Sequence, residues 1–245
     1  MKKSLSALTI GLLLFSAEAG LAAQAKRKAA PAKPAAIATL DQRVTLSTDD
    51  TPILGSPDAP VKLVEYMSYT CPHCAHFNEE SHVELRTGMV RSGKVSVELR
   101  PFIRNEFDLI ASLLVTCGPK DKWFGNNDAV FAAQATWFNE PSDPTYKQRW
   151  AALEENKTAQ HRIVARDLGL YAVMQKRGYT PAQMDLCLAN QARGAQLQQM
   201  TEQAMAEGVN GTPSFKINGK RQSVYGWAQL KPLIEAALLP PPATI

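Results

Sequence analysis

A mostly apolar run, Val61-Lys62-Leu63-Val64-Glu65-Tyr66-Met67, leads almost directly into Cys71-Pro72-His73-Cys74, and this junction constrains the fold more than any other stretch. The run reads as a mostly buried strand, rich in β-branched and aromatic residues. Pro72 to Met89 suits a helix: proline is tolerated in a first helical turn, Phe77, Val83 and Leu85 are apolar, and Glu79, Glu80 and Glu84 are polar. Lys94 to Phe102 alternates with period two and reads as a second strand. Strand, helix, strand is a βαβ unit, whose usual outcome is parallel pairing.

The flanking segments give this unit its setting. Arg43 to Leu46 is a short β-like run, and Thr51 to Pro60 is rich in turn residues. From Phe107 to Glu207 the pattern is helical, with Thr180-Pro181-Ala182-Gln183 reading as N-cap, first-turn proline and capping-box glutamine. Gln191 to Glu207 is a long helical stretch that ends at Gly208. The β pattern returns at Ser214 to Ile217, Asn218-Gly219 is a hairpin-turn signal, and a short strand is predicted at Gln222 to Tyr225. Trp227, Leu230, Leu233, Ile234, Ala237 and Leu238 form one face of a closing helix. The fold class is α/β, a β/α module in two halves (41–106 and 208–239) split by a helical insertion (107–207), with a tail at 240–245. At 245 residues and 45% hydrophobic, the chain can bury such a core.

The N-terminal segment carries an address. Lys2 and Lys3, an apolar run from Leu5 to Phe15, and A-x-A sites at Ala17-Glu18-Ala19 and Ala23-Gln24-Ala25 read as a secretory signal over 1–25. Residues 26–40 form an Ala/Pro/Lys linker without apolar periodicity. Six of the 27 basic residues and one of the 23 acidic ones precede Leu40, so the rest of the chain carries a net charge of −1. That argues against a nucleic-acid partner, which needs a basic face. The expected location is the periplasm, soluble after signal cleavage, where disulfides persist.

Two thiols separated by two residues at a helix start suit dithiol chemistry. Cys71 faces unpaired backbone N–H groups and the positive end of the helix dipole, which favour thiolate over thiol. A partly protonated His73 adds positive charge beside it. A stabilised thiolate favours the reduced pair and makes the disulfide a strong electron acceptor. Cys74, one turn inside, is the resolving thiol. Two other readings compete. A zinc site needs a second ligand pair, yet Cys117 and Cys187 are isolated in the sequence, and no metal is expected. A merely structural bridge closes too short a loop to constrain the unfolded chain.

VEYMSYTCPHCAHF and GVNGTPSFKINGK, together with the helical stretch between them, resemble the DsbA-like thiol:disulfide oxidoreductases of the thioredoxin superfamily, over roughly Val44 to Leu238. The resemblance implies a thioredoxin-like fold with an inserted helical domain. It makes Cys71 the attacking thiol, Cys74 the resolving one, and Pro213 a cis-proline beside them. A cis bond at Thr212-Pro213 leaves the Thr212 backbone free to pair with an extended substrate segment. The resemblance also places a buried acid at Glu65, a proton acceptor for Cys74; the residue alone reads equally as a strand-end glutamate reaching solvent. The implied activity is introduction of disulfides into exported proteins, without an organic cofactor. The implied partners are unfolded proteins with free thiols and a membrane quinone-linked reoxidase resembling DsbB. Thr212 departs from the best-known oxidase, which has valine there, and matches the isomerase and reductase branches. Isomerases usually add an N-terminal dimerisation domain, for which 26–38 is too short, so a monomer is expected. The alternatives are a reductase or isomerase, and a non-catalytic chaperone on the same scaffold.

An exported protein with four cysteines is expected to pair Cys117 with Cys187, against the alternative of two buried free thiols. His76, His82 and His161 read as surface or capping residues. Trp123-Phe124 and Trp137-Phe138 read as core of the helical part, or as an apolar lip for unfolded substrates.

Overall fold

The computed structural model describes residues 39–240; the expected signal, nearly all of the linker and the last five residues lie outside that range. Six strands form one sheet: β1 (Val44–Leu46), β2 (Pro52–Leu54), β3 (Val61–Met67), β4 (Val95–Pro101), β5 (Ser214–Ile217) and β6 (Lys220–Gln222), in the order β1-β2-β4-β3-β5-β6. β3 and β4 pair in parallel from Val61↔Val95 to Met67↔Pro101, the outcome expected of a βαβ unit. Every other pairing is antiparallel. β3 lies between β4 and β5, so both of its edges are paired and its C-terminal end opens onto the cysteine loop.

Two local expectations need correction. The turn-rich segment before Pro60 contains β2, in which Ile53 and Leu54 pair with Glu98 and Val97. Three residues flanked by turns carry too little periodicity to reveal a strand. The final strand starts at Lys220 rather than Gln222, because Asn218 and Gly219 adopt φ of 50° and 80° and complete a two-residue turn by themselves. Lys220 then pairs directly with Ile217.

The helices are α1 (Pro72–Ser81), α2 (Glu106–Val115), α3 (Trp123–Ala132), α4 (Gln134–Trp137), α5 (Tyr146–Ala151), α6 (Lys157–Asp167), α7 (Leu170–Lys176), α8 (Pro181–Leu188), α9 (Gln191–Ala206) and α10 (Trp227–Ala237). α1 does not run as one α-helix to Met89; from His82 to Val90 it widens into a π-helical segment. The capping box at Thr180 and Gln183 forms, with Pro181 in the first turn. α9 closes at Gly208 (φ 85°), and the Val209 N–H returns to the Ala204 carbonyl, turning the chain back toward β5. Among the described residues no helix is long and apolar enough to cross a membrane.

Two main apolar clusters result. One joins the sheet to α1 and α10 through Leu63, Phe77, Val97, Phe215, Leu230 and Ile234. The other fills the helical part with Leu113, Leu114, Trp137, Val164, Met174 and Leu197, and it includes Cys71 and Cys74. The cysteine pair therefore sits where the two meet. The aromatic pairs divide between the cores: Phe124 packs in the sheet cluster and Trp137 in the helical one, with the exposed Phe138 ring 5.5 Å from Trp137. An alternation of apolar residues does not say which of two cores each one enters.

Candidate active site

β3 ends at Met67, and residues 68–70 carry the chain over to Cys71, the N-cap of α1, with Pro72 in the first turn. Both thiols are free in this structure. Cys71 is 3% exposed and Cys74 fully buried, while the side chains of Pro72 and His73 face solvent. From the far half of the module, the Thr212-Pro213 peptide is cis, and the Cys71 thiol donates to the Thr212 carbonyl oxygen at 3.2 Å.

The two sulfurs differ sharply. A hydrogen bond from the Cys74 thiol brings the Cys71 pKa down to about 5 against the cost of burial, helped by Thr212 and by the backbone N–H groups of Cys74 and His73. What His73 supplies to the sulfur is thus its place in the helix start, because its N–H points there while its ring is outside. Burial pushes Cys74 well above an ordinary thiol, and the Cys71 thiolate and Glu65 push it further. Glu65 is 5% exposed, in the middle of the sheet rather than reaching solvent. Burial lifts its carboxyl to about 8, with Arg86 pulling it down and Asp128 pushing it up.

Three side chains of the site carry no motif and were not anticipated. Gln134, on α4, donates from Nε2 to the Tyr69 carbonyl at 2.7 Å and the Cys71 carbonyl at 2.9 Å, tying the insertion to the cysteine loop. Asp108 is fully buried at the head of α2; it accepts from the Thr70 N–H at 2.8 Å, the Arg104 N–H at 2.9 Å and the Ser68 hydroxyl at 2.9 Å. Burial raises its pKa, and these donors oppose the rise. An acid inside the apolar run FDLIASLL was the available signal for it. Arg86, 8% exposed, pairs with Asp128 at 2.6 Å.

Cys117 and Cys187 are bonded to each other, with Cα atoms 5.6 Å apart across 70 residues, so neither is available to a metal. His76 and His82 lie at the surface beside Glu80 and Asp128. His161 corrects the expectation of a surface residue: it is 9% exposed, with Nε2 3.1 Å from the Glu106 carboxylate, a partner that sequence spacing could not supply.

A dithiol with one sulfur held as an anion and its partner held as a thiol can exchange disulfides through a mixed intermediate. The family model described as thioredoxin matches residues 47–236. The solved protein-disulfide isomerase of Novosphingobium aromaticivorans is similar at 37% identity and a TM-score of 0.71, over 77% of this chain and 97% of that one. Wolbachia pipientis alpha-DsbA1 shares the fold at a TM-score of 0.58 and 22% identity, over 79% of this chain and 93% of that one. A Rickettsia conorii protein provisionally named a protein-disulfide oxidoreductase is 29% identical over 198 residues, 80% of this chain but 64% of its own length.

Proposed function

The chain belongs to the thioredoxin family, among its DsbA-like thiol:disulfide oxidoreductases, and from that premise we propose that it works as an oxidase of exported proteins in the periplasm. The observation that carries this reading is the Cys71 sulfur, whose pKa of about 5 makes it a good leaving group. A client thiolate attacks Cys71 in the Cys71–Cys74 disulfide. The S–S bond breaks, Cys74 leaves as a thiolate, and Glu65 protonates it. A second client thiol, deprotonated, then attacks the client sulfur of the mixed disulfide and expels Cys71 as its stable thiolate. The client loses two electrons and the enzyme gains them. The Thr212 backbone, beside Cys71, is where an extended client segment docks. A membrane quinone-linked partner takes the electrons onward, and the protein acts as a monomer without an organic cofactor.

The signal-like N-terminus and the bonded Cys117–Cys187 pair support an oxidising compartment. A second reading, isomerase or reductase, is favoured by Thr212 and by the Novosphingobium relative. Equilibration of the dithiol with glutathione separates the two. An oxidase gives a potential well above that of thioredoxin, about −270 mV; a value close to it excludes the oxidase.

A further inference from the structure

Glu65 is the register partner of Phe215, and cross-strand partners project from one face of a sheet. The Phe215 ring lies 4.6 Å from Phe77 on α1, so the Glu65 carboxyl belongs to the face that α1 covers. Arg86 projects into this layer from the π-helical segment. Its guanidinium donates to Asp128 Oδ2 at 2.6 Å and to Asn78 Oδ1 at 3.1 Å, and it lies 5.1 Å from the centre of the Phe124 ring. Asn78 follows Cys74 by one helical turn on the same face. Asn127 Nδ2 also donates to Asn78 Oδ1, at 3.1 Å, and Tyr69 Oη donates to Asn127 Oδ1 at 3.1 Å. An anchored ion pair thus reaches, through Asn78, the face of α1 that carries the resolving thiol. Arg86 is buried and Asp128 partly exposed, and neither member enters the exchange steps above.

We propose that Arg86, held by Asp128, is a positioning residue for the proton transfer between Glu65 and Cys74. The inference rests on the exchange reaction proposed above. When the Cys71–Cys74 bond breaks, its electron pair leaves on Cys74, the Glu65 proton moves to that sulfur, and a carboxylate remains. Arg86 stabilises that carboxylate. Asp128 offsets part of the Arg86 charge, so that Glu65 still carries a proton at neutral pH before the step. The direction of each influence on Glu65 agrees: Arg86 lowers its pKa and Asp128 raises it. The other titrating groups coupled to this acid are Cys74 on α1 and Tyr69 after β3. Behind the ion pair, His82 Nδ1 stands 3.9 Å from Asp128 at the solvent side. β4 and β5 oppose Glu65 with Leu99 and Phe215, which do not titrate.

The test measures the carboxylic-acid infrared band of Glu65 against pH in the reduced protein, identified by its loss in Glu65→Gln. Alongside it runs the pH–rate profile for reduction of the oxidised protein by a cysteine-containing peptide. Arg86→Gln is expected to move the Glu65 midpoint up, and Asp128→Asn to move it down. Each shift is about half a pH unit or more, roughly a threefold change in carboxylate at fixed pH. Arg86→Lys keeps the charge and stays near the wild type. In a Glu65→Gln background neither substitution moves the rate profile. Midpoints that stay put, shift in the same direction, or shift in rate without Glu65 overturn the inference. If Arg86→Gln does not fold, Asp128→Asn and Arg86→Lys decide it alone. A wild type that exchanges no disulfide sinks the function proposed above, while the infrared midpoints still report on the charge pairing.

Discussion

The two cysteine pairs of this chain share their chemistry and little else. Cys117 and Cys187 are bonded across 70 residues, where a link removes much freedom from the unfolded chain. Cys71 and Cys74 are free, three positions apart, where a link removes almost none. The long pair is placed to stabilise. The short pair is placed to react, because the helix start, the Thr212 side chain and the buried Glu65 treat its two sulfurs differently. Span decides what a disulfide does for stability, and surroundings decide what it does for chemistry.

The sharpest way to break this contrast is Cys71→Ser. Catalysed oxidation of a reduced, unfolded protein should fall to the uncatalysed level, while the melting transition persists. Retained catalysis would place the reactive sulfur elsewhere. Next comes the double change Cys117→Ser, Cys187→Ser. Loss of so long a loop closure should cost about 4 kcal/mol in denaturant unfolding and leave the Cys71 potential in place. An altered potential with unaltered stability would reverse the roles assigned to the two pairs.

A smaller effect is expected at the bridge between the regions. Gln134→Ala leaves the Tyr69 and Cys71 carbonyls without that donor, a loss of about 1–3 kcal/mol by denaturant titration. The smallest concerns Thr212. Thiolate absorbance of the reduced wild type should fall as pH drops through about 5. Thr212→Val removes a hydroxyl that helps hold this anion and should raise the midpoint by roughly half a pH unit. The sign for stability follows. Cys71 has a folded pKa below its unfolded one, so its contribution to the reduced protein is complete only above the thiol's ordinary range. That contribution is lost as pH falls through about 5. The oxidised protein has no such thiolate, so the stability gap between the two forms should change in acid.

Much of this site was legible because its chemistry is local. Cys71, Pro72 and Cys74 follow a strand whose burial shows in composition, and β3 spans the residues expected of it. Asn218-Gly219 carried its turn in its own backbone preferences. What stayed hidden depends on partners distant in sequence. Gln134 looks like any glutamine on a helix until it meets two carbonyls more than 60 residues earlier. Arg86 carries no sign in the sequence of the Asp128 and Asn78 partners that it meets. β2 is too short to have a period, and His161 meets a glutamate 55 positions away. Spacing can reveal a motif, but the residues that support it are chosen by the fold.

The Thr212 carbonyl that meets the Cys71 thiol stands 141 residues further along the chain. The segment that brings this carbonyl to the sulfur is therefore among the last parts of the chain to be made. The group that holds the Cys71 anion most, Cys74, and the N–H groups of the helix start lie within three residues of it, whereas the wall beside it arrives last.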